Sequence, residues 1–207
     1  MILCVDSSGI GVQFSIAEPD GHELATVLAA PRSELSRDMS AMFAQVLDAA
    51  GMQDGSAVRR IVAGQGPGTF IGTRVALSFA NGLAAAGGLP VASFDSLAAL
   101  RLTAGDPKAI AVRDARRGQF YVNDGGESRI IDEEQLVAIV AEAAYIVSDA
   151  VPPELHHDRS LAHMQDLLAF CSGRLGWLER TAPKAMIATA EPCAEGYAEP
   201  VYLRDYL

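Results

Sequence analysis

The stretch Gly64-Gln65-Gly66-Pro67-Gly68-Thr69-Phe70-Ile71-Gly72-Thr73-Arg74 decides how this chain is read. It follows the apolar triplet Ile61-Val62-Ala63 and leads into an alanine-rich run, which is the pattern of a strand, a sharp turn and a helix. Gly64, Gly66 and Gly68 alternate across the turn. Without a Cβ they let the backbone bend sharply and approach a ligand or another segment closely. The first amides of the following helix carry the partial positive charge that commonly holds anions. Yet no Lys-Ser/Thr pair follows the last glycine, as a Walker loop requires. Thr69 also stands where a dinucleotide fingerprint has its third glycine. Two readings stay open on chemistry alone: a phosphate cradle, or a tight strand-to-helix turn with no ligand.

Outward from this turn, the pattern predicts a mixed α/β sheet with helices packed on it. Residues 2–5 form a continuous apolar run, as in a strand buried on both faces. Residues 12–17 alternate, Pro19-Asp20-Gly21 marks a turn, and residues 24–28 read as a third strand. A helix is predicted over 33–51, with Ser33 as its cap and Gly51 at its stop. A second is predicted over 71–86, ending at Gly87-Gly88, then a strand over 91–94 and a short helix over 96–103. Gly105-Asp106-Pro107 opens a second part: strands at 110–112 and 119–123 around an Arg116-Arg117-Gly118 turn, Ile130-Ile131 leading to a helix over 133–143, and a strand at 144–147. A last long helix is predicted over 160–178, with a turn-rich end. The expected division is 1–104 and 105–207.

The chain has 207 residues, half of them hydrophobic, enough for one good core or two small lobes. No apolar run is long enough to span a membrane, and the N-terminus lacks the basic region of a signal peptide. Cys4, Cys171 and Cys193 are an odd set without paired spacing, so neither a disulfide scaffold nor a zinc knuckle is expected, and a reducing cytoplasm fits. The net charge is −10 and the pI about 4.8, so the chain as a whole repels nucleic acid. Arg113, Arg116 and Arg117 form the one local basic patch to be expected.

The two N-terminal helices are more apolar than one-sided packing needs. Leu35, Met39, Met42, Phe43, Val46 and Leu47 make a stripe at spacings of three and four. Val75, Leu77, Phe79 and Leu83 surround much of the second helix. Gly72, Ala76, Ala80 and Ala84 form a small-residue ridge that would admit another helix closely. From periodicity, either the surplus surface receives a partner or both faces pack inside one domain.

Four stretches, in order along the chain, resemble the TsaB (YeaZ) family, bacterial partner proteins in making the threonylcarbamoyl modification of adenosine beside the tRNA anticodon. They are Ile2-Leu-Cys-Val-Asp-Ser-Ser8, the glycine-rich stretch above, Asp114-Ala-Arg-Arg-Gly-Gln-Phe-Tyr121 and Ala198-Glu-Pro-Val-Tyr-Leu-Arg204. The resemblance implies an actin-like ATPase (ASKHA) fold: two lobes, each on a five-stranded mixed sheet flanked by helices, with the C-terminal lobe reduced. It implies a non-catalytic subunit that docks on and activates a TsaD-like catalytic subunit, or pairs with its own copy, through the same helices. The interface would comprise Leu35, Met39, Met42, Phe43, Val46, Val75, Phe79 and Leu83, and Phe43→Glu would abolish assembly while leaving the fold intact. A TsaE-like ATPase is a further implied partner, and tRNA is reached only indirectly.

Under that resemblance, Asp6 and Ser7 lie where actin-like ATPases hold phosphate and a magnesium-bound water. The alternative is that Asp6 caps a hairpin turn, and Gly9-Ile10-Gly11 is shorter than the family's polar turn, which counts against a phosphate loop. Vestigial nucleotide or junction contacts would involve Asp6, Ser7, Gly64, Gly66, Gly68, Arg74, Asp114 and Arg116. ATP and magnesium are expected only weakly or through the partner. Asp114 and Arg116 equally suit a phosphate or partner contact and a hairpin held by its own ion pair. TsaD subunits carry two metal-binding histidines on one helix. The corresponding helix here has none, and His156, His157 and His163 read as surface residues, so no metal site is expected. The rival reading is a self-sufficient small ATP-dependent phosphotransferase on the same fold.

Overall fold

The computed structural model describes residues 1–29, 35–150 and 158–203. The expected Ser33 cap, the pair His156-His157 and Arg204 lie outside the described residues. The chain forms two compact units, one of Met1–Ser96 with Ala182–Val201, the other built on Leu97–Thr181.

The first unit begins with β1 (Ile2–Asp6), β2 (Val12–Ala17) and β3 (Glu23–Ala29), an antiparallel meander. Helix α1 (Leu35–Ala49) crosses to β4 (Arg60–Gly64), which pairs parallel with β1. Helix α2 (Phe70–Gly87) crosses to β5 (Val91–Phe94), parallel to β4. The sequential strands therefore stand in the order 3-2-1-4-5. One face of this sheet, with Leu3, Val5, Phe14, Ile16, Ile61 and Ala63, forms a core with α1 and α2. Gly88 ends α2 in the left-handed conformation, and its amide bonds back to Ala84, the helix stop expected at the Gly87-Gly88 pair.

The second unit repeats the order. Helix α3 (Ser96–Thr103) leads into β6 (Ala109–Asp114), β7 (Gln119–Asn123) and β8 (Arg129–Asp132), again a meander. Helix α4 (Glu133–Glu142) starts in a capping box between Asp132 and Gln135 and leads to β9 (Tyr145–Asp149), parallel to β6. Helix α5 (Arg159–Leu168) leads to β10 (Arg174–Leu178), parallel to β9. Leu97 and Leu100 of α3 pack with Ala109, Ala111, Tyr121, Tyr145 and Val147.

Three expectations are corrected. The predicted helix over 160–178 is α5 followed by β10: Leu175 and Leu178 continue the helical spacing, but Cys171-Ser172-Gly173 breaks it. A Cβ at Gly173 would overlap the carbonyls of Ala143 and Ala144, so the chain enters the sheet edge at that point. The division falls after Ser96 rather than at 104/105, because α3 packs into the second core. The chain also returns to the first unit through α6 (Pro183–Ala188) and the two-residue β11 (Glu191–Pro192). That strand pairs antiparallel with β5 and makes the first sheet six-stranded. Among the described residues, no helix is long and apolar enough to cross a membrane.

Candidate functional site

Three of the four characteristic stretches meet in the first unit, at the carboxyl ends of β1 and β4. Asp6 closes β1, and its carboxylate accepts the Ser8 amide at 2.9 Å, the local turn that an aspartate at a strand end favours. The Ser7 hydroxyl donates to the Gly72 carbonyl in the first turn of α2. The Ser8 carbonyl accepts the Thr69 amide at 2.8 Å. On the other side, Ser96 donates its amide to the Gly66 carbonyl at 2.8 Å and accepts the Gly66 amide on its hydroxyl at 3.3 Å. Val201 closes the site by donating its amide to the Gln65 carbonyl at 2.8 Å. Asp6, Ser7 and Ser8 are all buried.

The glycines are used for packing within the chain. A Cβ at Gly64 would overlap the Asp6 carboxylate, and one at Gly68 would overlap the Ser8 carbonyl. Gly66 sits between them at φ +92°. The turn is tight, with the Ser8 carbonyl of the β1–β2 segment packed against Gly68 and the Thr69 amide at the start of α2. Arg74 is exposed and its guanidinium lies 4.0 Å above the Phe70 ring.

In the second unit the hairpin between β6 and β7 is tied to the start of α5. Arg116 and Arg117 both take positive φ, 67° and 59°. The Asp114 carboxylate accepts the Arg116 amide at 2.8 Å and the Ser160 hydroxyl at 2.9 Å. The Arg116 guanidinium reaches Asp158 at 2.5 Å and Asp114 at 3.3 Å. Asp158 also caps α5 through the amides of Ser160 and Leu161. Its carboxyl is held below the ordinary range, chiefly by the hydrogen bond from Arg116. Asp114 and Arg116 are thus paired within the chain, Arg116 lying nearer to Asp158 than to Asp114. Sequence reasoning missed Asp158 and Ser160, although Asp158 directly before a helical run is a cap signal.

The expected basic patch is corrected for the same reason. Arg113 is buried and makes a two-point ion pair with Asp149, at 2.6 and 3.0 Å, and Arg116 is committed to two carboxylates. His163 meets Glu133 at 2.9 Å. Among the described residues no group of three or more His, Cys, Asp or Glu could hold a metal ion.

The helix pair is sided differently from the expectation. Met39, Met42 and Val46 are buried in the first core, because α1 lies over β2 and β3. Phe43, Val75, Phe79 and Leu83 are half-buried against that core, and the Phe43 and Phe79 rings meet edge-on at 5.9 Å. The side chain of Leu35 lies outside the described residues. The small-residue ridge of Gly72, Ala76, Ala80 and Ala84 is buried and lets α2 approach its own sheet, not a partner. The outward face of α2 carries Ile71, which is 68% exposed, then Ser78, Gly82 and Ala86, flanked by half-buried Val75, Phe79 and Leu83. On α1, Ala41, Ala44, Gln45 and Asp48 face outward.

Two sheets of the same 3-2-1-4-5 order, each joined by helical crossovers, define an actin-like ATPase fold. The chain belongs to the TsaD family, tRNA N6-adenosine threonylcarbamoyltransferase, whose family model matches residues 29–175. Its fold is that of YeaZ from Pseudomonas aeruginosa, with a TM-score of 0.70 at 21% identity over 98% of this chain and 99% of that one. A protein with similarity to peptidase YeaZ from Pseudomonas aeruginosa matches at TM-score 0.72 and 23% identity, over the same shares of 98% and 99%. Component A of the (R)-2-hydroxyglutaryl-CoA dehydratase of Acidaminococcus fermentans matches more distantly. Its TM-score is 0.52 at 9% identity, over 91% of this chain and 95% of that one. No curated protein matches in sequence.

Proposed function

We propose that this chain is a non-catalytic, cytoplasmic subunit of the machinery that makes N6-threonylcarbamoyladenosine in tRNA, and that it docks on a TsaD-like catalytic subunit and supports its active arrangement. Family membership supplies the reaction. The observation that supports the non-catalytic reading is the close packing of Ser8 against Thr69 and Gly68, which commits the glycine-rich turn to contacts within the chain. Transfer of the threonylcarbamoyl group to N6 of adenosine then occurs on the partner, and any ATP or magnesium is reached through it. The committed arginines and the net charge of −10 support indirect contact with tRNA.

The docking face on this reading is the outward side of α1 and α2. Ile71 is its most exposed large apolar side chain among the described residues, and Gly82 leaves room for a close helix. A second copy of this chain competes for the same face, and a TsaE-like ATPase joins the assembled pair.

Light scattering on the eluted chain, alone and mixed with the TsaD-like subunit of its own organism, tests the proposal. The expected result is a one-to-one heterodimer that Ile71→Glu abolishes without lowering the melting temperature. Ile71 replaces Phe43 as the test position because a charge at Phe43 would enter the ring contact with Phe79. No complex in the presence of ATP and magnesium, or micromolar ATP binding by the isolated chain, overturns it.

A further inference from the structure

Asn81 lies in the middle of α2, where asparagine is a poor helix former and needs a local reason to be present. Its amide makes a two-way bond with one distant residue: Nδ2 donates to the Ala198 carbonyl at 2.9 Å and Oδ1 accepts the Ala198 amide at 2.8 Å. This reproduces, from a side chain, the pairing that a neighbouring strand would offer. The segment it holds is fastened at separate points along its length. After Cys193 donates its amide to Val91 at 3.1 Å, residues 194–197 are exposed. Ala198 then enters the core beside α2, and Val201 bonds Gln65 at the turn that begins the same helix. Residues 198–201 therefore bridge two points of one structural unit, the fourth turn of α2 and the glycine-rich turn before it.

We infer that Asn81 is a positioning residue: it latches the C-terminal segment across the glycine-rich turn, and the latch sets the α2 face on which the partner docks. The docking half rests on the reading above; the latch does not. Ile71 and Val75 lie between the two fastened points, so the segment brackets the N-terminal half of the docking helix. The outward residues of α2 are untouched by a change at Asn81, because its amide is directed to Ala198.

The test uses the full chain with Asn81→Leu, which keeps the side-chain size and removes both bonds. Hydrogen exchange of the chain alone reads the latch, and affinity for the TsaD-like subunit reads the consequence. Two lost hydrogen bonds predict exchange about tenfold faster at the Ala198 and Val201 amides, with β1 and β4 unchanged. Partner affinity falls by about the same factor. Asn81→Asp, which still accepts the Ala198 amide but repels its carbonyl, falls between the two. In a cycle with Ala198→Pro, which deletes the donor, the double variant is no worse than the poorer single one. Unchanged exchange at Ala198 and Val201 overturns the latch. Faster exchange with full partner affinity overturns the positioning role. Failure of the unaltered chain to bind any TsaD-like subunit overturns the docking reading alone, and exchange still judges the latch.

Discussion

The Ser8 carbonyl takes the Thr69 amide hydrogen at 2.8 Å, and this bond places backbone of the β1–β2 turn directly before the N-terminus of α2. Gly68 makes the approach possible, since any Cβ there would overlap Ser8. Gly68→Ala therefore forces the two turns apart and costs about 1–3 kcal/mol, the range for overpacking a filled interior. Gly82→Ala is the opposite case. A Cβ at Gly82 meets nothing within 4 Å, and alanine in a helix interior is favoured by about 0.5–1 kcal/mol. Urea denaturation of both variants should move the midpoints in opposite directions. Equal stability of Gly68→Ala and the parent would show that the turns are not in contact.

The N-cap of α5 predicts a specific acid sensitivity. The Asp158 carboxyl sits below its ordinary 3.8, first because Arg116 donates to it and further because the Leu161 and Ser160 amides do, against a burial that pulls the other way. Below 3.8 the unfolded chain takes up this proton before the folded chain does, so stability falls as pH drops through the depressed folded value. Asp124, paired with Arg129, acts in the same direction. Asp158→Ala should cost about 1 kcal/mol at neutral pH, the usual worth of a helix cap. Asp158→Asn should keep most of that stability, since asparagine also caps, yet flatten the loss below pH 3.8. Denaturation midpoints at pH 7 and in steps below pH 4 separate the two.

Local pattern made much of the architecture readable. The strands at 12–17, 91–94 and 119–123 and the helix at 96–103 fall where alternation, apolar runs and turn residues put them. What the sequence left undecided was direction. The ridge of Gly72, Ala76, Ala80 and Ala84 is equally suited to a partner helix and to the chain's own sheet, and only the crossover from β4 to β5 chooses the sheet. Arg113 and Arg116 looked like a basic patch because their carboxylate partners, Asp149 and Asp158, stand 36 and 42 residues away. The return of residues 182–201 was hidden for the same reason. Its fastening to Asn81 spans 117 residues and leaves no periodic trace.

Cys4 gives a signature at the alkaline end. It is fully buried at the centre of β1, and burial pushes its thiol from 9.0 up to about 12, with Arg60 pulling weakly the other way. The unfolded chain thus releases this proton near pH 9, while the folded chain keeps it until about pH 12. Between those values the folded state binds more protons, so stability declines as pH rises, by up to ~1.4 kcal/mol per unit from this group. Other alkaline groups add their own slopes, so the comparison is with Cys4→Ala. That variant loses some packing at neutral pH, yet its stability should fall less steeply between pH 9 and 11. A thiol reagent gives an independent reading at pH 8: Cys4 should stay unlabelled in the native chain and react only on unfolding. Labelling of Cys4 in the native chain at the rate of a free thiol would mean that β1 opens, and with it the Asp6-Ser7-Ser8 turn that packs against Gly68 and Gly72.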